Sequence, residues 1–115
     1  MTKTIYHMCR RAEWEAAQAA GAYAGSSQDE ADGFIHFSAA AQVVQSAAKH
    51  RAGQSGLVLL AVDAARLGEA LKYEPSRGGQ LFPHLYGRLP VGAVKWVADV
   101  PLDGAGRHVF PVLED

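Results

Sequence analysis

Three of the five histidines stand beside aromatic or hydroxyl residues, in segments far apart in the chain: Tyr6-His7, Phe34-Ile35-His36-Phe37-Ser38 and Phe82-Pro83-His84-Leu85-Tyr86. An imidazole titrates near neutrality and can donate, accept or ligate, so His7, His36 and His84 are the first candidates for acid–base work or ligand binding. Glu74 is the carboxylate of most interest, because it closes an alternating segment and abuts the loop Pro75-Ser76-Arg77-Gly78-Gly79-Gln80. Within that loop Arg77 has the planar fork that clamps phosphate. Ser38 stands where an alanine-rich helical pattern begins, a natural N-cap, and a helix start beside a histidine suits an anion. Imidazoles with Glu74 could also hold a metal, but the chain has no pair of histidines one helical turn apart, so no metal is expected. Nothing near Cys9 marks an activated thiol, which reads as a small, partly buried residue.

The elements that must position these residues follow from apolar periodicity. Thr4 to Met8 alternates as a first strand, with Ile5 and His7 on one face and Tyr6 and Met8 on the other. Helix formers run from Arg10 to Ala20, with Trp14 and Ala17 at helical spacing and Gly21 as the stop. Tyr23 to Ala31 lacks a period and reads as a surface loop, where a lid could sit. Residues 34 to 37, if extended, put Phe34 and His36 on one face and Ile35 and Phe37 on the other. A helix follows over about 38 to 51, with Val43, Val44, Ala47 and Ala48 apolar and Lys49-His50-Arg51 complementing its C-terminus.

Leu57 to Val62 is a continuous apolar run and is expected at the centre of the sheet, covered on both faces. Leu71 to Glu74 alternates, Leu81 to Gly87 places His84 and Tyr86 on one face, and Val94 to Val100 turns Val94, Trp96, Ala98 and Val100 inward. Asp103-Gly104-Ala105-Gly106 turns the chain into a last strand, Arg107 to Leu113. Strands with two early helices predict an α+β fold: a strongly bent, mainly antiparallel sheet of six or more strands.

A chain of 115 residues, 49% hydrophobic and 20% charged, predicts a single domain spanning 1–115. Eleven basic and twelve acidic residues leave a net charge of -1, so a nucleic-acid partner is not expected. The longest apolar run is too short to span a bilayer, no signal segment opens the chain, and the lone cysteine fits a reducing compartment. A cytoplasmic protein without a membrane partner is expected.

The motifs Ile5-Tyr6-His7, Glu13-Trp14-Glu15-Ala16-Ala17, Gly33 to Ser38, Leu57 to Asp63 with Leu67-Gly68, Tyr73-Glu74-Pro75 and Phe82 to Gly87 occur in an order that resembles the bacterial family called domain of unknown function 952. The resemblance runs from about Thr4 to Val97. In fold that family is similar to the ADP-ribosylation superfamily of NAD-dependent ADP-ribosyltransferases and RNA 2'-phosphotransferases. The resemblance implies NAD as cofactor and a small nucleotide-like ligand as partner. Tyr6-His7 matches the first-strand histidine of NAD-binding relatives, and His36-Phe37-Ser38 the strand-to-helix segment flanking the nicotinamide cleft.

On that reading His7 bonds a ribose hydroxyl, Phe37 or Tyr86 stacks on a ring, Ser38 and its helix start hold phosphate, and Glu74 orients a ribose hydroxyl. This sequence departs from the superfamily in having no late glutamate in a recognisable catalytic loop. Glu74, or His84 with Tyr86, has to take that place. Two functions fit: an NAD- or ADP-ribose-dependent transferase, moving an ADP-ribosyl or phosphoryl group, and a non-catalytic module that binds a small anionic or nucleotide ligand.

Overall fold

The computed structural model describes residues 3–76 and 79–114; Arg77 lies outside the described residues. Strand β1 (Thr4–Arg10) leads directly into helix α1 (Arg11–Ala20) and the short strand β2 (Ala22–Tyr23). Helix α2 (Ser27–Asp32), strand β3 (Ile35–His36) and helix α3 (Ala40–His50) follow. Strand β4 (Leu57–Asp63) leads through two short 3-10 turns to β5 (Leu71–Pro75), and β6 (Leu81–Leu85), β7 (Leu89–Pro90) and β8 (Val94–Asp99) complete the order. The architecture is α+β, and the strand pairs are antiparallel.

The expected single bent sheet is instead divided into three: β1-β4-β8, β2-β7 and β3-β6-β5. The divisions fall where β2, β3 and β7 are two residues long, too short to carry a ladder from one sheet to the next. The first and third sheets are stitched by one bridge, in which Tyr6 and Ser38 exchange backbone hydrogen bonds of 2.8 Å each way. Strand β4 is central to its sheet and buried on both faces, as its unbroken apolar run requires.

The faces of that sheet carry separate cores. Ile5 and Cys9 join Trp14 and Ala17 of α1 and Ile35, Phe37 and Leu85 from the third sheet. Tyr6 and Met8 face the other way, against Val43 and Ala47 of α3, with Phe110 and Leu113 of the C-terminal segment packed alongside. Val44 and Ala48, expected on the apolar face of α3, point to solvent. The stretch expected to form the last strand makes only an isolated bridge between Leu102 and His108, because the Asp103 turn closes on itself before a ladder can start.

Two local corrections bear on the site. The loop expected over Tyr23 to Ala31 contains α2, capped by Ser26, whose Oγ accepts from the Asp29 N–H, and ended by Gly33 in the left-handed region at φ +85°. Helix α3 begins one residue later than expected. Its N-cap is Ala39, and Ser38, paired with Tyr6, makes no capping bond.

Candidate functional site

The register of the third sheet assembles the centre. His36 lies directly opposite His84 on β6, and Lys72 of β5 lies on the far side of His84. Glu74, two residues along β5, is then a diagonal neighbour on the same face, within reach of a strand-face side chain. Its Oε1 accepts from His84 Nδ1 at 2.8 Å and from the Tyr86 hydroxyl at 2.6 Å. The Tyr86 bond and then the His84 bond hold the Glu74 carboxyl below its usual range. Phe34, which sequence reasoning left without a role, stacks on His84 at 4.2 Å and 25° and packs against the rings of His36 and Tyr86.

Asp29 is the second organiser, and it was not foreseen. Its buried carboxylate takes Ser26 N–H at 2.7 Å and Ser26 Oγ–H at 3.1 Å on Oδ2, and His36 N–H at 3.1 Å and His36 Nδ1–H at 2.6 Å on Oδ1. The other ring nitrogen of His36, Nε2, lies 3.0 Å from Asp32 Oδ2. Only an imidazolium donates from both nitrogens, so His36 is a cation clamped between two carboxylates. The Asp29 bond raises the His36 pKa, more than burial lowers it. Burial alone would raise the Asp29 carboxyl, but the His36 ring bond, then the His7 ring 3.7 Å away and the Ser26 N–H bond, outweigh it and hold it at about 2.

His7 has a different state. Its Nδ1–H donates to the His36 carbonyl at 2.6 Å, so Nε2 is the acceptor, taking the Tyr23 hydroxyl at 2.8 Å. Burial lowers its pKa and keeps the ring neutral, although the Asp29 charge acts the other way. Cys9, wholly buried, has its thiol pushed up to about 12, which removes it as a nucleophile.

Ser26, Asp29 and Asp32 join residues of β1, α3 and β6 in lining a cleft of about 600 Å³, a size that suits a nucleotide-like molecule; Glu74 and Phe34 lie outside that lining and reach it through His84. His7, His36 and His84 all line it, as do Tyr6, Phe37 and Ser38. Tyr86 is tied in through Glu74 and Phe34.

The family described as "Protein of unknown function (DUF952)" matches residues 8–97. The chain belongs to this family. It is similar to the crystal structure of protein CC0527 from Caulobacter crescentus, with 54% identity over 92% of this chain and 93% of that one and a TM-score of 0.89. It is likewise similar to the solution NMR structure of CC0527, with 55% identity, 90% of each chain covered and a TM-score of 0.81. No curated protein matches.

Within this DUF952 chain the expected roles divide. His84 is held by Glu74 through Nδ1, which leaves Nε2 for a ligand in the cleft. Both ring nitrogens of His7 are engaged, so it braces β3 and cannot also bond a ribose hydroxyl. Phe37 is 2% exposed and belongs to the core, so its ring offers no free stacking face. The Ser38 N–H is spent on Tyr6, so that amide cannot hold phosphate. Arg51, expected only to complement the end of α3, instead reaches the cleft. Among the described residues no group of three or more His, Cys, Asp and Glu is arranged to hold a metal ion.

Proposed function

We propose that this protein is an NAD- or ADP-ribose-dependent, transferase-like enzyme that binds its nucleotide in the histidine-lined cleft. The observation that carries the reading is Glu74, whose partly exposed carboxylate is bonded to His84, a residue of the cleft lining. NAD, when bound, supplies an ADP-ribosyl group activated by the departure of nicotinamide.

A carboxylate kept ionised by two hydrogen bonds stabilises positive charge developing nearby. His84, oriented through Nδ1, presents Nε2 to receive a proton from an acceptor group. Phe34 backs the His84 ring and keeps it from turning, and His7 and Asp29 fix the strand that carries His36. The resemblance of Tyr6-His7 and His36-Phe37-Ser38 to segments of NAD-binding members of the ADP-ribosylation superfamily supports the same reading.

The test is nicotinamide release from NAD, followed by chromatography, with wild type and Glu74→Gln. The reading expects release by wild type and a loss of about 100-fold or more in the variant. One observation favours the second reading, a binding module without turnover: His7 and His36 are both consumed by internal bonds. Saturable binding of ADP-ribose with no nicotinamide release from NAD would select it.

A further inference from the structure

We propose that the end of the cleft where Arg51 meets the edge of β1 is the subsite for the diphosphate of the ligand, an assignment that rests on the nucleotide reading above. In an antiparallel pair, backbone groups of alternate residues point away from the partner strand. Tyr6 turns both of its groups away from β4, to Ser38, so Met8, two residues on, does the same. The Met8 carbonyl accepts from Arg51 Nη2 at 3.2 Å, and its N–H is aimed along the same edge toward the cleft.

Arg51 Nη1 donates to Gln54 Oε1 at 3.2 Å, which leaves Nε–H and one hydrogen on each Nη uncommitted among the described residues. The two bonds it makes fix the plane of the guanidinium. Arg51 is half-buried, and among the described residues no carboxylate lies within ion-pair distance of it. Arg10, which also lines the cleft and likewise has no carboxylate at ion-pair distance among the described residues, stands two residues beyond Met8 on the same edge.

A guanidinium held at the edge of β1, beside a backbone N–H that bonds to no described residue and with Arg10 on the same edge, suits an anion, and a half-buried cation without a counter-charge is stabilised by one. The carbonyl end of α3 and the Glu13 carboxylate, which lines the cleft and accepts the Arg10 N–H at 2.8 Å, oppose this, but together they carry about one and a half units against two full ones. Two other carboxylates that line the cleft, Asp29 and Asp32, are engaged by His36. A dinucleotide would therefore lie with its diphosphate against Arg51 and its reactive ribose toward His84.

The test is calorimetry with ADP-ribose, adenosine and inorganic pyrophosphate, on wild type and Arg51→Gln. Expected are ADP-ribose tighter than adenosine by about tenfold or more, loss of that advantage in Arg51→Gln with adenosine unchanged, and pyrophosphate binding only to wild type. Arg51→Lys should fall between, because it keeps the charge and loses the fork. Equal binding of adenosine and ADP-ribose by wild type would overturn the subsite while leaving the nucleotide reading standing. Arg51-dependent binding of pyrophosphate, with neither adenosine nor ADP-ribose bound, would support the subsite and defeat the nucleotide reading. If wild type binds no pyrophosphate and Arg51→Gln binds ADP-ribose as wild type does, the assignment is wrong. Should Arg51→Gln fail to fold, the wild-type comparison and the same titrations on Arg10→Gln decide.

Discussion

Replacing Asp29 by Asn should destabilise the protein more than any other single uncharging of an acidic side chain in the cleft. The carboxyl is held at about 2 against an ordinary 3.8. At ~1.36 kcal/mol per tenfold change in proton affinity, that difference corresponds to on the order of 2 kcal/mol of stability at neutral pH. Asn also turns an NH2 group toward one of two donor pairs, either the Ser26 N–H and hydroxyl or the two His36 donors. That clash, with His36 left partly uncompensated, brings the expected loss to about 3 to 4 kcal/mol.

The sign with pH follows from the depressed folded value. The Asp29 contribution is complete above the ordinary 3.8 and is lost as pH falls through about 2. Urea unfolding followed by the fluorescence of Trp14 and Trp96 should show the full gap between wild type and variant at pH 7, with the curves converging as pH approaches 2. A gap below about 0.5 kcal/mol at pH 7, or one unchanged down to pH 2, would refute the assignment of Asp29 as the ionised hub.

His36 has a raised folded pKa, so its contribution is complete below its ordinary 6.5 and fades as pH rises through the folded value, whereas that of buried His7 is complete above 6.5 and fades as pH falls. The urea midpoint should therefore peak near neutrality, and His36→Gln should flatten the alkaline limb and leave the acid limb in place. Cys9 should resist a thiol reagent in the native protein at pH 8 and react at once in urea, since its thiol is buried and raised to about 12; rapid native labelling would contradict this. Gly33→Ala meets open space and should cost only the left-handed strain, about 1 kcal/mol, whereas Gly25→Ala, at φ +99° with a Cβ 2.7 Å from Asp29 Cβ, should cost about 3 kcal/mol or more by melting analysis.

The strands and the two longer helices were legible because their apolar periods are long enough to stand out, as in Leu57 to Val62 and the Trp14 and Ala17 spacing. The alternation of residues 34 to 37 was also readable, and with it the shared face of Phe34 and His36. Helix α2 was missed because six polar and small residues show no period. Its signal was the capping pattern: Ser26, an acidic residue three positions on at Asp29, then Gly33. Reading that pattern would also have found the carboxylate that clamps His36. The sequence could not say that His7 spends both nitrogens internally, because its partners, Tyr23 and the His36 carbonyl, come from elements whose register only tertiary packing sets. The role of Arg51 was hidden for the same reason: a basic residue closing a helix looks alike whether it meets solvent or the edge of another strand.

The separate sheets also set a timetable. Strands β5 and β6 pair as neighbours across a short loop, so Glu74 and His84 can meet early in folding at little loop-closure cost. By contrast β1 must find β4 across α1, β2, α2, β3 and α3 before Tyr6 can close on Ser38 and His7 on the His36 carbonyl. One half of the cleft is thus local and the other is the last part of the chain to arrive. Transition-state mapping should give high φ values for Leu85 and Leu71 and low ones for Ile5 and Tyr23. The reverse pattern would mean that the long-range strand pair nucleates the fold and the hairpin condenses on it.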